Sequence, residues 1–200
     1  MEFDRMVQAD GVDYGILRGE GSVVFVKPGL GTDCRGYADK YVLMAHRLRD
    51  TCGFRVIVAS NPHDGLSHAH TDLAVLEQFV GSDPTKAPDL LFFGSSNGCI
   101  KGLELTARGV SFRRMVLVNM PLMINFHKTK GYLGAIPRTA VTAVYGERDP
   151  SFAYTPFLEG RFPHVKVMTI PRADHNFTGM TEDFISLSRL LTDGQAAGQS

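Results

Sequence analysis

The chain carries no excess charge of either sign: among its 200 residues, Lys plus Arg and Asp plus Glu number 21 each. That balance excludes the basic surface that nucleic acid or an anionic membrane face requires, so neither is expected as a partner. Nowhere does the sequence offer the roughly 20 consecutive apolar residues needed to span a bilayer. The opening Met1-Glu2-Phe3-Asp4-Arg5 is acidic and lacks the basic-then-apolar order of a signal peptide. Cysteine is scarce. Cys34, Cys52 and Cys99 stand far apart with no CxxC pair, which reads as three reduced thiols acting as small buried apolar residues in a cytoplasmic protein. Internal repeats and linker-like composition shifts are also missing. One domain over residues 1–192 is expected, followed by a tail, 193–200, with nothing to bury.

What is present is the composition of a globular domain, 44% hydrophobic and 21% charged. Arg5 to Ala9 and Val12 to Arg18 flank Asp10-Gly11, a dipeptide suited to the positive φ angles of a tight hairpin turn. Six short apolar runs follow: Ser22–Val26, Phe54–Ala59, Asp89–Phe93, Arg113–Val118, Ala140–Tyr145 and Val165–Ile170. They are β-branched or aromatic and nearly continuous, the pattern of strands covered on both faces. Helix-period segments fill the gaps. Tyr37, Tyr41, Met44, Ala45 and Leu48 share one face before Gly53, Leu73, Leu76, Phe79 and Val80 another before Gly81, and Phe184, Leu187, Leu190 and Leu191 a third. This alternation predicts an α/β fold: a mostly parallel sheet with an N-terminal antiparallel hairpin and helices on both faces. Ligands then bind beyond the carboxyl ends of the strands.

One such loop reads Gly94-Ser95-Ser96-Asn97-Gly98, a GxSxG pattern between an apolar strand and a plausible helix from Cys99. A strand turning abruptly into a helix forces the middle residue into strained backbone geometry, and the flanking glycines avoid clashes. Ser96 is thereby lifted into the site as a candidate nucleophile, and the Asn97 N–H is left free for a developing oxyanion. Two further loops leave the same edge, Gly146-Glu147-Arg148-Asp149-Pro150 and Pro171-Arg172-Ala173-Asp174-His175-Asn176-Phe177.

With Pro28-Gly29-Leu30-Gly31 after the third strand, these segments give the sequence a resemblance to the α/β-hydrolase superfamily over nearly its whole length. The resemblance implies Ser96 as nucleophile, His175 as base, Asp149 as acid, and an oxyanion hole from the N–H groups of Asn97 and Leu30. It implies no metal and no organic cofactor. Two departures stand out. Many members carry His-Gly where this chain has Pro28-Gly29, and most insert a lid where this chain has only Asn119 to Thr139. Among other acids, Asp174 reads as a turn former beside His175, Glu147 shares the loop of Asp149, and Asn119 is not a carboxylate.

His63, His68 and His70, with Asp64 and Asp72, crowd the loop after the Phe54–Ala59 run. His68-Ala69-His70 could share a metal if extended, but no further ligand set completes a recognisable spacing. The preferred reading is a polar loop entering a helix, with Ser67 or Thr71 as cap and no metal. The expected function is hydrolysis of a small carboxylic ester or thioester. The alternatives are amide or peptide hydrolysis or acyl transfer on the same residues, or a catalytically silent relative that binds a small ligand or a partner protein. Leu30, Met120, Leu122 and Met123 are expected to touch the substrate in a shallow cleft, and a homodimer partner is the expected source of any missing wall.

Overall fold

Short β-branched runs gain most when both faces are covered, and here they line up side by side in one eight-stranded sheet. The computed structural model describes residues 1–80, 89–136 and 138–192. The strands are β1 (Arg5–Ala9), β2 (Val12–Leu17), β3 (Val23–Lys27), β4 (Arg55–Ala59), β5 (Leu90–Ser95), β6 (Arg114–Val118), β7 (Ala140–Gly146) and β8 (Val165–Ile170). Each lies within two residues of its expected run. The order is β1-β2-β4-β3-β5-β6-β7-β8. β2 is antiparallel to both β1 and β4, and every pairing from β4 through β3 to β8 is parallel. Asp10 (φ 48°) and Gly11 (φ 77°) make the β1–β2 turn as expected.

The described residues form six α-helices in chain order: α1 (Lys40–Cys52), α2 (Ala69–Val80), α3 (Asn97–Ala107), α4 (Leu122–Gly134), α5 (Thr155–Arg161) and α6 (Thr181–Ser186). Strand residues alternate between two cores. Phe25, Ile57, Phe92 and Leu117 pack with Leu76 of α2, Leu103 of α3, Leu133 of α4 and Leu158 of α5. Val24, Val58, Phe93 and Val118 pack with Tyr41 and Leu48 of α1 and Phe184 of α6 on the opposite face. The sheet is therefore covered on both sides.

Several local expectations need correction. Tyr37 is 78% exposed and precedes α1, because Ala38 and Asp39 take positive φ and break the helical register. Gly53 does close α1, in the left-handed conformation, with its N–H on the Arg49 carbonyl. Neither Ser67 nor Thr71 stands at the cap position of α2: the helix begins at Ala69 with His68 before it, and Thr71, inside the first turn, donates its hydroxyl to the Asp10 carboxylate. The last apolar face is split between α6 and a 3₁₀ turn, Leu187–Leu191. Cys34 and Cys99 are buried, but Cys52 is only half-buried. Gly81 and the expected tail, 193–200, lie outside the described residues. Among the described residues no helix is long and apolar enough to cross a membrane.

A buried ion pair ties three of these elements together. Lys27, at the end of β3, places Nζ 2.8 Å from Asp72 Oδ2 in the first turn of α2, both side chains being 1% exposed. Tyr14 of β2 donates its hydroxyl to Asp72 Oδ1 at 2.9 Å. Burial pushes the Lys27 ammonium down from the usual lysine range, and Asp72 pulls it back up. Removing one partner leaves a buried charge uncompensated, which typically costs about 3–5 kcal/mol. Asp72→Asn is therefore expected to lower the unfolding free energy by about that amount in urea denaturation. Lys27→Met combined with Asp72→Leu should lose less, since no charge remains buried alone.

Candidate active site

β5 ends at Ser95 and α3 begins at Asn97, so Ser96 alone makes the turn between them. Its backbone sits at φ 52°, ψ −126°, a conformation that costs a residue with a Cβ about 1–3 kcal/mol. The surroundings enforce it. The Ser96 N–H donates to the Val118 carbonyl at the end of β6 (2.8 Å). A Cβ on Gly94 would stand 2.9 Å from the Cys99 backbone nitrogen, and one on Gly98 only 2.0 Å from the Lys27 carbonyl oxygen. Both glycines of the motif are thus required by close backbone approach.

Three loops from the carboxyl edge converge on this turn. Ser96 Oγ lies 2.9 Å from His175 Nε2, and His175 Nδ1 lies 2.5 Å from Asp149 Oδ2. Ser96 follows β5, Asp149 follows β7 and His175 follows β8. Asp149 is 5% exposed, and its Oδ1 accepts the Ser151 N–H at 2.7 Å. A carboxylate facing Nδ1 selects the tautomer with the proton there, leaving Nε2 to accept from the Ser96 hydroxyl. The competing acids are turned elsewhere. Asp174 Oδ1 accepts the N–H groups of Asn176 and Thr178, bonds that hold its carboxyl below the usual range. Glu147 accepts the Arg172 N–H.

Asn119 joins these loops from beneath, a contribution that weighing the residue only as an acid does not reveal. It is fully buried, with φ 49° directly after β6. Its Oδ1 accepts the Gly146 N–H (2.8 Å), while Nδ2 donates to the carbonyls of Asp174 (3.1 Å) and His175 (2.9 Å). The only signal for it in the sequence is a carboxamide at a strand end, where side-chain bonds to backbone organise loops.

Asn97 opens α3, so the helix supplies no backbone partner for its N–H. The Leu30 N–H has no hydrogen-bond partner among the described residues, although its neighbours Gly31 and Thr32 both donate. This loop hugs Ser96, for a Cβ on Gly29 would lie 3.3 Å from Ser96 Cβ. Beside the three side chains opens a cavity of about 270 Å³, walled by Pro121, Met123, Ile124 and Pro150. Met123 and Ile124 are 54% and 75% exposed, and the Leu30 side chain is also exposed. Met120 and Leu122, expected to touch substrate, instead turn into the core at 0% and 1% exposure. Of the three expected from this segment only Met123 reaches the cavity, beside Pro121 and Ile124, because Leu122 lies on the face of the first turn of α4 that meets the core. The histidine loop does not converge: His68 binds Asp64 (2.8 Å), while His63 and His70 are exposed. Among the described residues, no three His, Cys, Asp or Glu side chains group as metal ligands.

No protein-family model and no curated protein matches the chain in sequence. Solved structures do match in three dimensions. Est1E from Butyrivibrio proteoclasticus superposes with a TM-score of 0.74 at 14% identity, covering 96% of this chain and 98% of its own. A putative α/β hydrolase from Agrobacterium tumefaciens, ATU1826, gives 0.74 at 13% identity, over 98% and 97%. An α/β serine hydrolase homologue from Coxiella burnetii gives 0.67 at 16%, over 94% and 97%. The chain has the α/β-hydrolase fold, without a separate cap domain among its described residues.

Asn119→Ala would strand the Gly146 N–H and the His175 carbonyl and leave the Asp174 carbonyl only its bond from the Phe177 N–H, and each buried polar group left unpaired costs about 1–3 kcal/mol. The variant is expected to unfold at lower urea concentration and to exchange the Phe177 and Thr178 amides faster than wild type. Unchanged exchange at those two amides would show that the His175 loop is held by other means.

Proposed function

We propose that the protein is a serine hydrolase that cleaves a small carboxylic ester or thioester through an acyl-enzyme. The observation that carries this reading is the unbroken chain from Ser96 through His175 to Asp149, on a serine held at positive φ. Ser96 Oγ attacks the substrate carbonyl and passes its proton to His175 Nε2. Asp149, hydrogen-bonded at Nδ1, stabilises the imidazolium that forms. The former carbonyl oxygen, now negative, takes the N–H groups of Asn97 and Leu30, worth roughly 3 kcal/mol per donor in comparable sites. His175 then returns the proton to the departing alcohol or thiol. Water enters, loses a proton to the same nitrogen, and releases the acid while Ser96 is regenerated.

Substrate size follows from the wall. Each fully buried CH₂ is worth about 0.8 kcal/mol, a reward that stops once the acyl chain emerges into water. Pro121, Met123, Ile124 and Pro150 line one side of a cavity of about 270 Å³, and Met123 and Ile124 are more than half exposed. With p-nitrophenyl esters, kcat/KM is expected to peak between about acetyl and hexanoyl and then level off. A steady rise through dodecanoyl would demand a long covered channel, whether from this chain or from a second copy.

The central test is direct. A fluorophosphonate should label Ser96, and Ser96→Ala or His175→Ala should abolish turnover without loss of fold, since neither side chain fills the core. Asp149→Asn is expected to lower kcat by about 10⁴. Ester turnover at the wild-type rate in purified Ser96→Ala would refute the assignment.

A further inference from the structure

We propose that Asn61 is the positioning residue that sets the two oxyanion-binding N–H groups at a fixed separation; this rests on the hydrolase reading above. Asn61 follows β4, two residues past Ala59, and is 2% exposed. Its backbone and its side-chain amide are all engaged in the same small region. Its carbonyl accepts the Gly31 N–H at 2.7 Å, and its N–H donates to the Thr32 carbonyl at 2.9 Å. Its side-chain Nδ2 donates to the Pro28 carbonyl at 2.9 Å and to Asn97 Oδ1 at 3.3 Å.

The pattern brackets Leu30. The carbonyl two residues before it and the N–H one residue after it are both held by Asn61, while the Leu30 N–H itself has no partner among the described residues. The fourth bond reaches the residue that supplies the other N–H. A single side chain therefore links the loop after β3 to the first residue of α3. Pro28 has no N–H, so its carbonyl is the polar group by which that residue can be held. Two donors stabilise one oxygen only if their spacing matches it, and a shift of about 1 Å can cost a hundredfold in rate.

Because Asn61 touches no reacting atom, its loss has a distinctive signature. Asn61→Asp keeps the shape but replaces the donor with an acceptor facing the Pro28 carbonyl and Asn97 Oδ1. In this variant kcat for p-nitrophenyl acetate is expected to fall roughly tenfold to a hundredfold, with KM changed less than about twofold. An aryl trifluoromethyl ketone reports the same site without turnover: a bond forms between Ser96 Oγ and the ketone carbon, the Oγ proton moves to His175, and the carbonyl π pair becomes an oxyanion. Its affinity should fall by the same factor as kcat, while the matching carbinol, which has no carbonyl, keeps its affinity. Asn97→Ala, which removes one of the four contacts from a half-buried position, should show a milder, severalfold version of the same split.

Equal losses for ketone and carbinol, or ketone affinity within twofold of wild type in Asn61→Asp, would overturn the inference. Should Asn61→Asp fail to fold, the Asn97→Ala split decides in the same way. If the wild-type protein neither turns over esters nor binds the ketone, the hydrolase reading fails separately. The amide resonances of Leu30 and Asn97 in ¹⁵N-labelled protein then decide the positioning role: both shift in Asn61→Asp, and that of Leu30 shifts in Asn97→Ala, if Asn61 registers them, and stay in place if it does not.

Discussion

Much of this molecule is arranged around one strained residue. Ser96 holds φ 52° between a strand and a helix, and a turn that tight exists only because its neighbours leave no alternative. The Gly94 and Gly98 backbones press against Cys99 and Lys27, and the Ser96 N–H is committed to β6. Strain of this kind persists when the structure around it supplies more restraint than the local chain resists. Here the restraint comes from β3, β5 and β6, adjacent parallel strands whose ends set the floor of the cleft.

From that floor the remaining groups arrive by separate routes. Parallel strands end at one edge, so residues 79 positions apart, Ser96 and His175, meet at 2.9 Å. Side-chain amides then lock the loops to one another. Asn119 fastens the ends of β6 and β7 to the His175 loop, and Asn61 fastens the Pro28–Thr32 loop to Asn97. Both are buried carboxamides whose NH₂ can donate two hydrogen bonds at once, which suits them to joining different segments. The Lys27–Asp72 pair acts similarly a layer further from the cleft, fixing the end of β3 to α2. Each is a polar group that must be satisfied internally, so each specifies geometry more sharply than apolar packing does.

The open cleft has the same origin. Between β6 and β7 the chain runs out and back in little more than α4, whose first turn is offset by a kink at Asn125. Phe126, just past that kink, packs edge-on against Phe157 of α5 at 4.6 Å between ring centres. The helix is thereby held against α5 beside the site, and Met123 and Ile124 are left at the cavity rim. Their exposure supports the short-acyl preference proposed above.

The strands, the hairpin turn and the turn at Ser96 were legible in the sequence because they depend on local rules: β-branched runs, positive-φ dipeptides, and a glycine-flanked serine between strand and helix. Asp149 and His175 came instead from the resemblance to the α/β-hydrolase superfamily, on loops that local rules placed at the same sheet edge. Competition between acids was also partly legible, since an Asp adjoining the histidine favours its own turn. What the sequence could not express was direction. Whether Met120 and Leu122 faced substrate or core depended on how Pro121 sets the first turn of α4 against the sheet. Tyr37 left its expected helical face through Ala38 and Asp39, two positive-φ residues of types that rarely adopt that conformation. Asn61 looked like an ordinary loop residue and Asn119 only like an acid position without a carboxylate, since the partners of their side chains lie 27 to 56 positions away. Hydrogen-bond satisfaction over such distances is fixed only when the strands have paired and their ends stand side by side.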